Sequence, residues 1–285
     1  MLDDGARAVD ERCLVFKAKD GAELVGRLFQ PAQSPVAAVV LNGATGVPQS
    51  YYFHFARWLA AERRLVCLTY DYRDVGRAWP GPLRLSRADM IDWGTSDHVA
   101  ARRAMTRVVP DAPIWVIGHS LGAMMLPNQR EFDGVTRVIG VASGMVHHSD
   151  HPWPYRAVAM MFWFGAGPLA TALAGYLPGR RLRFGEDLPA GVYWQWRRWC
   201  TSRGFHAADV GPRLPAPEWR HNIPVRLVAF SDDDLIPPHC VQRLATEGYE
   251  GQAEVEVITP SAPVGHLSVF ARRNAALWPK VLKYG

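Results

Sequence analysis

Ile114-Trp115-Val116-Ile117-Gly118-His119-Ser120-Leu121-Gly122 decides the fold of this chain. The run 114–117 is short, apolar and rich in β-branched residues, which predicts a buried strand. Gly118, Ser120 and Gly122 follow as G-x-S-x-G, at the point where such a strand must turn sharply into a helix. A turn that tight leaves no room for side chains at the two glycines, and its strain lifts the serine hydroxyl clear of the sheet. The helical run predicted after Ser120 would aim its N-terminal dipole at negative charge developing there. A Ser-Gly turn on its own is commonplace, so the elements around it must carry the weight.

Upstream, 14–16 and 24–29 flank the turn Lys19-Asp20-Gly21-Ala22 and predict an antiparallel hairpin. Strands are expected at 36–41 and 65–70, with amphipathic helical segments at about 49–64 and 87–109. Downstream, 135–142 predicts another strand. From 143 to 222 the pattern changes to Trp, Pro, Gly and Arg without strand-like alternation, as an insertion would. Alternation resumes with strands at 225–230 and 255–258 and helices at about 238–249 and from 269. Strands separated by helices of this length form βαβ units and a mostly parallel, twisted sheet flanked by helices. The expected organisation is a core of 1–142 and 223–285, with a helical cap, 143–222, inserted after the sixth strand.

A serine in that turn needs a base and an orienting acid further along the chain. Ser231-Asp232-Asp233-Asp234 follows the strand at 225–230. Asp233 leads by its spacing from Pro224 and Pro237, with Asp234 and then Asp232 as alternatives whose ordinary role is solvation at a strand end. Gly265-His266 lies between the last predicted strand and the final helix, where a loop-borne imidazole can reach the serine. His266 would take the Ser120 proton and return it to the leaving group. Two backbone N–H donors are needed for the oxyanion. Leu121 supplies one, and Ala44, in Asn42-Gly43-Ala44-Thr45-Gly46, is the expected second, with Asn42 bracing the loop.

Composition sets the outer bounds. At 285 residues, 48% hydrophobic and 21% charged, the chain is an ordinary globular one with a sizeable core. A net charge of +5 is spread without a basic run longer than a pair, which argues against nucleic acid. The acidic start, Met1-Leu2-Asp3-Asp4-Gly5, does not resemble a secretory signal, so a cytoplasmic location is expected. Cys13, Cys67, Cys200 and Cys240 have no CxxC spacing, which argues against zinc and against a disulfide framework. His147, His148, Asp150 and His151 fit no common metal site, and neither metal nor cofactor is expected. The uncharged stretch 157–177 is about the length of a membrane span but is interrupted by Gly165, Gly167, Pro168 and Gly175. It is expected to form two short helices that line a pocket or rest on a membrane surface, with no transmembrane span. Trp196 and Trp199, three apart, are expected to pack together within the cap and to wall its pocket.

The chain resembles the α/β-hydrolase superfamily, and within it a bacterial group of hydrolases similar to serine aminopeptidases and monoacylglycerol lipases. The resemblance runs through 41–49, 70–76, 92–97, Gly118 to Gly122, Gly185-Glu186-Asp187-Leu188-Pro189, 196–200, Ser231-Asp232-Asp233 and Gly265-His266. It implies Ser120 as nucleophile, Asp233 as acid, His266 as base, and Ala44 with Leu121 as oxyanion donors. Asp74 stands where the group has glycine, and Ala123 replaces the second glycine after the serine. The expected function is hydrolysis of a carboxylic ester with a small or apolar acyl group, through an acyl-enzyme, as in carboxylesterases and lipases. Acyl transfer or thioester hydrolysis would use the same triad. A catalytically silent binding protein would need none of it.

Overall fold

The computed structural model describes residues 8–78 and 81–283, so the N-terminal signal reading, made on residues 1–5, lies outside the described residues. The strands are β1 (Val9–Lys17), β2 (Glu23–Pro31), β3 (Ala37–Asn42), β4 (Leu65–Asp71), β5 (Ile114–His119), β6 (Val135–Val141), β7 (Tyr176–Leu177), β8 (Leu188–Pro189), β9 (Val225–Phe230) and β10 (Ala253–Ile258). The helices are α1 (Phe53–Arg63), α2 (His98–Val108), α3 (Leu121–Met124), α4 (Tyr155–Met161), α5 (Gly167–Ala174), α6 (Gly179–Leu182), α7 (Ala190–Thr201), α8 (Pro238–Arg243) and α9 (Trp278–Leu282). Eight strands form one sheet in the order β1-β2-β4-β3-β5-β6-β9-β10. β1 and β2 pair antiparallel, β2 meets β4 antiparallel, and every remaining neighbour is parallel.

The central strands read as continuous apolar runs because both faces are covered. Val40, Val66, Leu68, Val116, Val138 and Leu227 face one side. Val39, Leu41, Cys67, Ile117, Ile139 and Phe230 face the other, against α1 and α9. Each such fully buried side chain contributes roughly 1.5–3 kcal/mol. Parallel pairing brings the C-terminal ends together: Asn42 lies opposite Gly118, and His119 opposite Val141. The loops that follow β3, β5 and β9 therefore share one rim of the sheet.

Three elements depart from expectation. The helix after Ser120 is a single turn, α3, followed by a 3₁₀ turn at Leu126–Asn128. Pro127 cannot donate the next backbone hydrogen bond, so the helical run expected after the serine is held to one turn. The final helix begins at Trp278, behind a 3₁₀ turn at Arg272–Leu277, rather than near 269. Val269 and Phe270 instead lie fully buried in a turn held by the Ser268 hydroxyl on Val264 O. The uncharged stretch forms one helix, Tyr155–Ala174, not two short ones. A π turn at Phe162–Ala166 offsets the hydrogen-bond ladder just before Pro168, so the missing N–H does not break the run. By length and composition this helix would suffice to cross a membrane, although 28% of its apolar window is buried inside the protein.

Residues 142–224 lie between β6 and β9. They contain α4 to α7 and also a two-residue antiparallel ribbon, β7 with β8, which the sequence pattern did not predict.

Candidate active site

The turn after β5 is as tight as its glycines require. A Cβ on Gly118 would lie 2.3 Å from the Gly122 carbonyl carbon, and one on Gly122 would lie 2.2 Å from Asn42 O. Ser120 sits at φ 54°, ψ −113°, a conformation that side-chain-bearing residues seldom adopt. The surroundings hold it there. Its N–H donates to Val141 O (3.0 Å), and its carbonyl accepts from the Ser143 hydroxyl (2.6 Å). Asn42 donates from Nδ2 to Gly122 O (3.0 Å) and accepts the Tyr70 hydroxyl (2.7 Å), so it braces the turn as well as its own loop.

The three aspartates after β9 divide their work. Asp233, with a fully buried side chain, meets Nδ1 of His266 through Oδ2 at 2.9 Å, while its Oδ1 accepts the N–H groups of Leu235 and Ile236 at 2.9 and 2.8 Å. Asp232 is not merely solvated: its Oδ2 accepts the N–H groups of Val264 and Gly265 (2.7 and 3.0 Å) and pins the loop that carries His266. Asp234 has the exposed position, and its backbone carbonyl accepts Nδ1 of His151.

Ser120 and His266 line the same outer cavity, of about 320 Å³. The Ser120 hydroxyl and the ring form no direct hydrogen bond in this structure. With Nδ1 given to Asp233, Nε2 is the ring nitrogen left open.

The N–H expected to be the second oxyanion donor, that of Ala44, is engaged by another group in this structure. The Ala44 N–H already donates to the Tyr52 hydroxyl at 2.8 Å, and Ala44 is buried. The neighbouring Thr45 is half-buried, lines the cavity beside Ser120, and its N–H has no hydrogen-bond partner among the described residues. Leu121, at the first position of α3, likewise has an N–H without an intrahelical acceptor.

Tyr52 and His119 were not singled out from sequence, yet they tie the site together. Tyr52 Oη lies 2.9 Å from His119 Nδ1, and His119 Nε2 lies 3.0 Å from the backbone carbonyl of His266. A carbonyl only accepts, so Nε2 carries the proton, Nδ1 accepts, and the Tyr52 hydroxyl donates to it. The chain therefore runs in one direction, from Ala44 N–H through Tyr52 and His119 to the carbonyl of His266. Burial keeps the His119 ring neutral by pushing its pKa down to about 3, and the nearby His266 adds to the effect. The only sequence signal for this role was the identity of the residue before Ser120.

An inner cavity of about 50 Å³ continues from Ser120 into residues 142–224. Met124, Val146, Ala159, Phe162 and Trp163 give it an apolar wall, and Trp196 borders both cavities. Trp199 instead packs fully buried, with its indole N–H on Asp209 (2.6 Å). Asp150 lies with His239 and Cys240 in a metal-like grouping, but its carboxylate is held by Arg243 at 2.7 Å. All four cysteines are free thiols.

A model of the Alpha/beta hydrolase family matches residues 38–278. No curated protein sequence matches the chain. Among solved structures, a soluble variant of monoglyceride lipase from Saccharomyces cerevisiae, in complex with a substrate analog, aligns with a TM-score of 0.64 and 15% identity over 96% of this chain and 94% of that one. The esterase Pf2001 of Pyrococcus furiosus aligns with a TM-score of 0.59 and 12% identity, covering 97% and 93%. The alpha/beta hydrolase GrgF from Penicillium sp. sh18 aligns with a TM-score of 0.60 and 19% identity, covering 95% and 96%. At such identities the likeness speaks for the fold.

Proposed function

Because the chain belongs to the Alpha/beta hydrolase family, we propose that it is a serine hydrolase that cleaves a carboxylic ester through an acyl-enzyme. In this reading the Ser120 hydroxyl attacks the ester carbonyl while its proton passes to Nε2 of His266. The imidazolium is steadied by Asp233 on the opposite nitrogen. Negative charge on the carbonyl oxygen is met by the N–H groups of Leu121 and Thr45. Collapse of the tetrahedral intermediate breaks the ester bond, and His266 returns its proton to the departing alcohol oxygen. Water, deprotonated by the same ring, then releases the acid and restores Ser120.

The observation that carries this reading is the 2.9 Å contact between Asp233 and Nδ1 of His266, on the wall of a cavity that also holds a strained serine. Support for an apolar acyl group comes from the inner cavity, whose size suits a short chain. Residues 143–222 act as the cap over that site, with one face of the helix Tyr155–Ala174 turned inward and used as cavity wall rather than as a membrane span.

The test is labelling of the intact protein with a fluorophosphonate probe, beside p-nitrophenyl ester hydrolysis. Labelling and turnover are expected, and both should vanish in Ser120→Ala with the circular dichroism spectrum unchanged. Absence of labelling in the folded wild-type protein would sink the proposal and favour a binding role.

A further inference from the structure

Two polar side chains that line the inner cavity, His151 and Tyr155, each keep one polar atom without a protein partner among the described residues, and Tyr155 borders the outer cavity as well. His151 is 3% exposed, and its ring lines the cavity together with that of Tyr155, the two centroids lying 5.3 Å apart. Its Nδ1 is 3.1 Å from Asp234 O, which can only accept, so Nδ1 carries the proton. Nε2 is then an acceptor, and no group among the described residues donates to it. The Tyr155 hydroxyl also has no hydrogen bond among the described residues. An apolar chamber thus presents one acceptor and, beside it, a hydroxyl able to donate. Burial holds the His151 ring below the usual imidazole range and pushes the Tyr155 phenol up to about 12, so both stay neutral near pH 7.

Which side of the ester enters this chamber follows from proton traffic. His266 must hand its proton to the leaving oxygen, so the alcohol lies on the side where His266 and Leu267 form the wall, which is the outer cavity. Neither residue borders the inner one, and the acyl chain belongs there. We propose that this acyl chain bears a hydroxyl group, which donates to Nε2 of His151 and accepts from the Tyr155 hydroxyl. The inference rests on the ester-hydrolase reading above and deepens it. A saturated chain filling the cavity would displace water from both atoms and offer neither a hydrogen bond in return. Sites built to hydrogen-bond a substrate hydroxyl discriminate strongly against analogues that lack it.

The experiment compares kcat/KM for the p-nitrophenyl esters of butyrate, 2-hydroxybutyrate and 3-hydroxybutyrate on wild-type protein, His151→Leu and Tyr155→Phe. At least one hydroxylated ester should exceed butyrate by about 10-fold or more. Both variants should reduce that ratio by a similar factor. Because the ratio is taken within each protein, a partial loss of fold cancels, and Tyr155→Phe removes no internal hydrogen bond. Turnover of butyrate at or above the rate of both hydroxylated esters would overturn the inference while leaving the hydrolase reading intact. So would a preference for hydroxylated esters that survives both substitutions. Failure of every ester together with absent fluorophosphonate labelling would instead strike the hydrolase reading itself.

Discussion

Asp232, Asp233 and Asp234 are chemically identical and consecutive, and their surroundings give them three different tasks. Asp233 orients the His266 ring, Asp232 ties the backbone on which His266 rides, and Asp234 leaves its carboxylate in solvent. Replacing Asp232 by Ala removes the acceptor of two partly buried N–H groups, each left unpaired at roughly 1–3 kcal/mol. The His266 loop should shift, and kcat/KM for a p-nitrophenyl ester should fall by about 10-fold or more. Asp234→Ala should stay within about twofold of wild type. Equal losses in the two variants would refute this division. Asp74 shows the same dependence on context: it adopts φ 60°, in the left-handed region that favours glycine, and its carboxylate accepts the Ser86 hydroxyl at 2.5 Å.

Between elements, the hydrogen-bonded line from Ala44 through Tyr52 and His119 to His266 couples the loop after β3 and the end of β5 to the loop that carries His266. The loop after β3 is also fastened to residues 142–224, since Glu186 N–H donates to Gly46 O (2.9 Å). Gly185 must be glycine there, because φ is +106° and a Cβ would lie 2.6 Å from the same oxygen. The neutral His119 makes the line sensitive to acid. Its folded pKa of about 3 lies below the unfolded value near 6.5, so between them only the unfolded chain takes up the proton. Stability is fully present above about pH 6.5 and is lost as pH falls toward 3, at up to about 1.4 kcal/mol per pH unit. His206, pushed down to about 4 by burial, acts in the same direction. Urea unfolding at pH 7, 6 and 5 should show this decline, and His119→Gln should make it shallower. A slope unchanged by the substitution would show that His119 takes up its second proton alike in the folded and unfolded chain, and would refute the coupling.

At the scale of the whole molecule, the helix Tyr155–Ala174 has two faces with different uses. Ala159, Phe162 and Trp163 close the inner cavity, while Met161, Phe164, Leu169 and Leu173 are exposed, Leu173 by 81%. An uncharged, exposed face of this size on the segment that covers the cavity fits contact with a lipid surface. The protein should co-float with phosphatidylcholine–phosphatidylglycerol vesicles. Leu169→Glu with Leu173→Glu should lower the bound fraction several-fold, with hydrolysis of a short water-soluble ester retained. Unchanged flotation would refute lipid contact by this face.

Local sequence was sufficient for the mostly parallel sheet, because buried parallel strands must be apolar runs and the turn after β5 must carry glycines where backbones nearly touch. It also brought forward Ser120, His266 and the aspartate cluster, since each stands at the end of a strand or in the loop that parallel pairing delivers to one rim. Spacing from Pro224 and Pro237 put Asp233 first, but the separate partners of Asp232 and Asp233, the engagement of Ala44 by Tyr52, the path through His119 and the open nitrogen of His151 were decided only by tertiary structure. Each depends on which atoms meet across tens of residues, and hydrogen bonds are directional and short-ranged, so spacing along the chain does not encode them. Pro168 teaches the same lesson for an element: its helix continues because a π turn before it removes the conflict, which composition alone did not foretell.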